Sequence, residues 1–129
     1  MNTTAPFRTR PPAAITRLLT QGEVESHILA ISETLEEETY RYAELAEAAA
    51  IAEADYKYAA ARKNVDLSQS TGKMTVGERQ SHVDIQCAVE FREWKLSEAV
   101  RQSSKEALLS LRSRLDALRT LSANIRSMT

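Results

Sequence analysis

A chain of 129 residues holds one domain, or one long helical hairpin that needs a partner, and the composition favours the hairpin. Three Gly, three Pro and 5% aromatic residues are few for a compact sheet protein, whereas abundant Ala, Leu, Glu, Arg and Ser suit long helices. The single Cys87 excludes an intramolecular disulfide, no apolar run approaches the roughly 18 residues that span a bilayer, and a net charge of −1 excludes neither acidic nor basic partners.

That charge conceals a strong polarity. Residues 1–22 carry +3 through Arg8, Arg10 and Arg17, residues 23–55 carry −9, and the remaining two blocks, 56–105 and 106–129, carry +3 and +2. An acidic helix followed by a basic one is expected to lie against it, with opposite charges flanking a shared apolar seam. The first residues contain arginines but no apolar core before a small-residue cleavage site, so a cytoplasmic location away from membranes is expected.

Residues 1–11 lack periodicity and end at Pro11-Pro12, which reads as a flexible arm. Residues 12–20 predict a short helix with Ile15, Leu18 and Leu19 on one side, interrupted at Gly22. Residues 23–64 predict a long helix. Positions 24, 28, 31, 35, 38, 42, 45, 49, 52, 56, 59 and 63 alternate steps of four and three, and Val24, Ile28, Ile31, Leu35, Tyr42, Leu45 and Tyr56 make this a coiled-coil seam. The alanine-rich stretch 43–61 leaves room for bulky partners, for which Phe91 and Trp94 are the candidates.

Residues 65–75 are rich in turn formers and predict the loop. Thr75 and Glu78 then have the spacing of a capping box, opening a helix over 76–127. Its final third carries an apolar stripe at Leu108, Leu111, Leu115, Leu118, Leu121 and Ile125. An eleven-residue rhythm through Ile85, Val89, Leu96, Val100, Ala107, Leu111, Leu118 and Ile125, which would locally unwind the supercoil, is one way to thread the apolar positions, with a weak segment at 97–104. Folding back near residue 70 pairs positions whose numbers add to roughly 140. The expected fold is all-α: one domain over 12–129, a long antiparallel helical hairpin with a short N-terminal helix. Two helices cover each seam on one side only, so a homodimeric four-helix bundle or higher oligomer is expected.

No catalytic constellation emerges. A carboxylate-bridged metal site needs Glu-x-x-His pairs, and Val24 and Arg79 occupy the positions three residues before His27 and His82. Ser70 to Thr75 lacks the upstream glycine and preceding strand of a phosphate loop. Cys87 reads as a buried structural thiol, the four tyrosines and Trp94 as packing residues, and no cofactor is expected. Arg112, Arg119 and Arg126 recur every seven residues and are the candidate nucleic-acid contacts, although pairing with the acids of 33–53 is the favoured reading.

Glu53-Ala54-Asp55-Tyr56-Lys57, the Lys73 to Arg79 segment and the closing Leu111 to Arg126 pattern give residues 45–126 a resemblance to small helical proteins encoded by tailed DNA phages and prophages. The resemblance implies a phage early region, near replication and recombination functions, and assigns no site residue. The expected function is therefore non-enzymatic: an oligomeric coiled coil that binds itself and another phage or host protein, accessory to phage replication or recombination. Direct DNA binding through the arginine row and inhibition of a host enzyme through Glu36, Glu37 and Glu38 are the alternatives.

Overall fold

The computed structural model describes residues 19–70 and 72–128. Three helices follow in order: α1, Gln21–Ser70; α2, Val76–Gln86; and α3, Ala88–Ser127. No strand occurs among the described residues. The long helices α1 and α3 pack against each other as an antiparallel hairpin, and α2 continues toward the loop end. At 1.5 Å per residue, the 50 residues of α1 make a rod of roughly 75 Å. No described helix is long and apolar enough to cross a membrane.

The expected helix over 12–20 falls mostly outside the described residues, and Leu19 and Thr20 precede α1 without being helical. Thr20 starts α1. Its hydroxyl accepts from the Glu23 N–H at 3.1 Å, and the Glu23 carboxylate accepts from the Thr20 N–H at 2.9 Å. This reciprocal capping box satisfies donors that a helix start leaves open. Gln21 next reaches across the hairpin and donates to the Ser122 hydroxyl at 2.9 Å. Thr20→Ala is expected to lower the unfolding free energy by about 1 kcal/mol, read as a fall in the urea midpoint at fixed protein concentration.

At its other end α1 runs six residues past the expected stop at 64, and the loop is correspondingly shorter than 65–75. The turn formers there stay helical because Leu67 is buried against Val83 and Cys87, while Arg62 pairs with Asp66 one turn along. Burial of one leucine outweighs the weak helix propensity of Asp66 and Ser68. Thr75 caps α2 as its spacing predicts, accepting from the Glu78 N–H at 3.1 Å.

The expected single helix over 76–127 is two helices. The break falls at Cys87, whose φ of −107° and ψ of 20° depart from helical values, and not within 97–104, which is helical throughout. Helical bonds continue on both sides, from the Cys87 N–H to Val83 O and from the Phe91 N–H to Cys87 O. The local kink accompanies the packing of Val83 and Cys87 on Leu67, with Tyr56, Ala59, Ala60 and Met74 around them.

All twelve seam positions of α1, from Val24 to Lys63, are buried or half-buried. The eleven-residue rhythm fails before Leu108. Ile85, Val89, Leu96, Val100 and Ala107 are exposed, whereas its last members Leu111, Leu118 and Ile125 are half-buried. With Arg79 and Glu98 half-buried beside it, the covered seam runs through Val83, Cys87, Glu90, Trp94, Ser97, Arg101, Ser104, Leu108, Leu111, Leu115, Leu118, Ser122 and Ile125. These keep a strict seven-residue repeat with polar groups admitted to the seam, so no local unwinding is needed. The fold-back register also shifts. Gln21 meets Ser122 and Tyr42 meets Arg101, pairs adding to 143, while Tyr56 meets Trp94, a pair adding to 150.

Candidate interaction surface

Toward the loop, the seam is aromatic. Tyr56 stacks on Trp94 with ring centres 5.4 Å apart, and Phe91 meets both edge-on, at 5.3 Å from Tyr56 and 5.9 Å from Trp94. Lys95 Nζ sits 4.1 Å from the Trp94 ring centre. The π surface of Trp94 is thus engaged within the chain, by an aromatic neighbour and a cation. Tyr40 and Tyr58, expected to pack, are instead 70% and 67% exposed. Tyr58 accepts a hydrogen bond from Arg62 at 3.2 Å.

The waist of the hairpin is polar. Arg101 donates from Nε and Nη2 to one Glu98 carboxylate oxygen, at 2.9 and 2.6 Å, and from Nη1 to the Tyr42 hydroxyl at 3.0 Å. The Glu98 bond, then the Tyr42 bond, raises the Arg101 guanidinium above its ordinary range, so the cation persists at any working pH. Ser104 lies beside it, buried, its Oγ without a hydrogen-bond partner among the described groups. Beyond the waist the seam is aliphatic again: Val24, Ile31, Leu108 and Leu115 are buried, while Ile28, Leu35, Leu111, Leu118 and Ile125 are half-buried beside them. Tyr42, Leu45, Tyr56 and Trp94 are likewise half-buried; of the stripe expected from Leu108 to Ile125, Leu121 alone falls outside the seam, at 37% exposed.

Cys87 is 4% exposed and free of any disulfide. Burial, and after it the charge of Glu90, pushes its thiol above the ordinary range. A thiol that stays protonated in the folded chain is a poor nucleophile. The sign for stability follows: a folded-state value above the unfolded one leaves stability intact below about pH 8.5 and removes it as pH climbs through the folded value. Wild type is therefore expected to lose more stability than Cys87→Ala between pH 8 and 10, measured as urea midpoints of the two proteins in parallel. Among the described residues no three His, Cys, Asp or Glu side chains gather into a metal-holding group.

Arg112, Arg119 and Arg126 are exposed along one line of α3. The expected pairing with the acids of α1 does not hold for Arg119, whose ion pair, at 3.9 Å, is with Asp116 of its own helix. Lys57–Glu53 and Arg62–Asp66 are likewise pairs within one helix turn. Exposed pairs of this kind are worth well under about 1 kcal/mol. The register set by Gln21 at Ser122 and Tyr42 at Arg101 brings Arg112 level with Ser32, while Glu33, Glu36 and Glu37 are exposed.

The broad faces of the hairpin were not foreseen. Three open depressions lie in line along one of them, lined in turn by Glu38, Arg41, Leu45 and Val100, by Ala48, Ile51, Asp55 and Leu96, and by Tyr58, Arg62, Cys87 and Glu90. The missed signal was a second seven-residue repeat, Ile51, Tyr58 and Val65 on α1 with Val89 and Leu96 on α3, running parallel to the seam. Fold and surface together define an all-α helical hairpin with one covered seam and one apolar open face. No protein-family model, curated protein or solved structure matches the chain.

Proposed function

We propose that the chain is a non-enzymatic, oligomeric coiled-coil protein that acts by binding another macromolecule, a phage or host protein, as an accessory to phage replication or recombination. One observation carries the assembly part of this reading. Among the described residues eight apolar side chains are buried, while fourteen large apolar side chains are exposed. Two helices cover one seam between them and leave both broad faces to solvent, an imbalance that self-association relieves. The phage setting rests on the resemblance over residues 45–126. Light scattering joined to far-ultraviolet circular dichroism across a dilution series tests the assembly. A mass of two or more times 14.4 kDa with helix content falling on dilution supports it. A chain of 14.4 kDa that keeps its helix signal at every concentration overturns it.

The exposed arginine row favours a second reading, direct binding to nucleic acid. Under it, Arg112, Arg119 and Arg126 track successive phosphates, and their replacement by Glu removes up to three released counterions. The slope of log affinity against log salt is then expected to shrink by about 2 to 3, measured by fluorescence anisotropy with a labelled duplex. An unchanged slope assigns the row to solvent.

A further inference from the structure

We infer that the partner copy in this assembly sits on the broad face that carries Ile51, Tyr58, Leu96 and Val100, α1 of each copy over α3 of the other, closing a four-helix bundle. This rests on the oligomeric reading above and names its interface.

The two broad faces differ in chemistry. On the first, Ile51, Tyr58 and Leu96 are 54%, 67% and 60% exposed, although each has the spacing and character of a core residue. Val65 and Val89 extend the same rows at 50% and 54%, and Val100 lies one turn beyond Leu96 at 46%. The opposite face presents Lys95, Lys105, Arg112 and Arg119 to solvent; its apolar surface is a short depression at Tyr56, Ala88 and Phe91 near the loop end, with Leu29 and Leu109 farther along among polar neighbours. Solvation suits the second face, and burial the first.

Size and symmetry favour a second copy over a smaller ligand. From Glu38 to Asp66 the line of depressions follows 28 residue-to-residue steps of α1, roughly 42 Å at 1.5 Å per step. Two helices, each about 10 Å across, then give a footprint of about 800 Å² per copy, the size of a standard stable interface. Ile51 and Leu96 line one depression and so lie at the same height along the hairpin. A twofold axis parallel to its length therefore brings Ile51 of each copy onto Leu96 of the other without any shift in register. The same rotation makes every neighbouring pair of helices antiparallel.

The charged ends of the rows are also compatible with this arrangement. Seven-residue steps from Ile51 lead to Glu44 and Glu37, and from Leu96 to Ser103 and Ser110, with Arg114 in step with Val100. Acids of one copy then cover hydroxyls and a cation of the other. The acids Asp55 and Glu93 lie in the central depression, with Arg41 and Arg62 on the Asp55 line to either side.

The test compares full-length wild type with Ile51→Glu and Leu96→Glu, and with Leu29→Glu and Leu109→Glu on the opposite face at similar exposure. Light scattering gives the mass, and circular dichroism confirms that each variant keeps its helices; Leu96→Gln serves if Leu96→Glu does not fold. The expected result is a wild type of twice 14.4 kDa, a dissociation constant raised about a hundredfold in the two first-face variants, and dimeric opposite-face variants. Dimeric first-face variants beside monomeric opposite-face variants overturn this interface while leaving the oligomeric reading intact. A monomeric wild type overturns both, and leaves the apolar face to a different occupant.

Discussion

Leu115→Ala lowers the unfolding free energy by about 3 kcal/mol, a large share of what a helical hairpin of this size possesses. Leu115 is 5% exposed, in the aliphatic half of the seam with Leu108 on α3 and Val24 and Ile31 on α1. Removing most of its side chain forfeits the transfer free energy and leaves a cavity between two long helices that close poorly around it. The matched control is Leu109→Ala. Leu109 is 50% exposed, six positions away on the same helix, so the same chemical deletion there costs within about 0.5 kcal/mol. Urea titration of both variants at one concentration measures the difference. Equal midpoints for the two would mean that Leu115 is not in the core.

The second large effect is at Trp94. Trp94→Ala removes the ring that Tyr56 stacks on, that Phe91 meets edge-on and that Lys95 covers, and it costs about 3 to 5 kcal/mol at the loop end. Trp94→Phe separates packing from polarity. The buried Trp94 Nε1 has no hydrogen-bond partner among the described groups, so a benzyl ring gives up volume without orphaning a donor. The phenylalanine variant is accordingly expected to keep most of the stability that alanine loses, as read by circular dichroism melts. Because the chain holds one tryptophan, wild-type fluorescence monitors this end of the hairpin alone. A tryptophan transition that runs ahead of the dichroism signal would place the weak point at the aromatic cluster.

What the sequence made legible follows from which residues carry the pattern. On α1 the seam is occupied by Val24, Ile28, Ile31, Leu35, Tyr42, Leu45 and Tyr56, and hydrophobic spacing alone identifies the covered side. On α3 the same spacing is kept by Glu90, Ser97, Arg101, Ser104 and Ser122, interleaved with Trp94 and the leucines. Hydropathy cannot find a seam built this way. A serine fits by being small, and Arg101 is tolerated because Glu98 and Tyr42 satisfy its guanidinium. The apolar residues that do stand out before Leu108, namely Ile85, Val89, Leu96 and Val100, lie on exposed sides of the helix and pulled the reading toward a false eleven-residue rhythm.

The helix ends were legible to different degrees for local reasons. Thr75 and Glu78 stand in a clear capping spacing after a polar loop, whereas the equivalent Thr20 and Glu23 were obscured by Gly22 between them. Six extra residues of α1 depend on Leu67 finding Val83 and Cys87, a long-range contact that no local signal near Asp66 or Ser68 reveals. The arginine row was visible from its seven-residue recurrence. That Arg119 pairs with Asp116 of its own helix depends on side-chain placement, which the recurrence does not fix.

The polar waist has a mechanical meaning. Around Tyr42, Ser97, Arg101 and Ser104 the two rods are joined by the Arg101–Tyr42 hydrogen bond and by small side chains. Interlocked side chains resist the sliding of one helix past the other that bending requires. At the waist that resistance falls on the Arg101 bond to Tyr42, whereas toward the loop it falls on the stacked Tyr56, Phe91 and Trp94 rings and toward Thr20 on packed Val24, Ile31, Leu108 and Leu115. Bending the hairpin at its centre therefore strains a hydrogen bond, and bending it nearer either end strains packed apolar side chains.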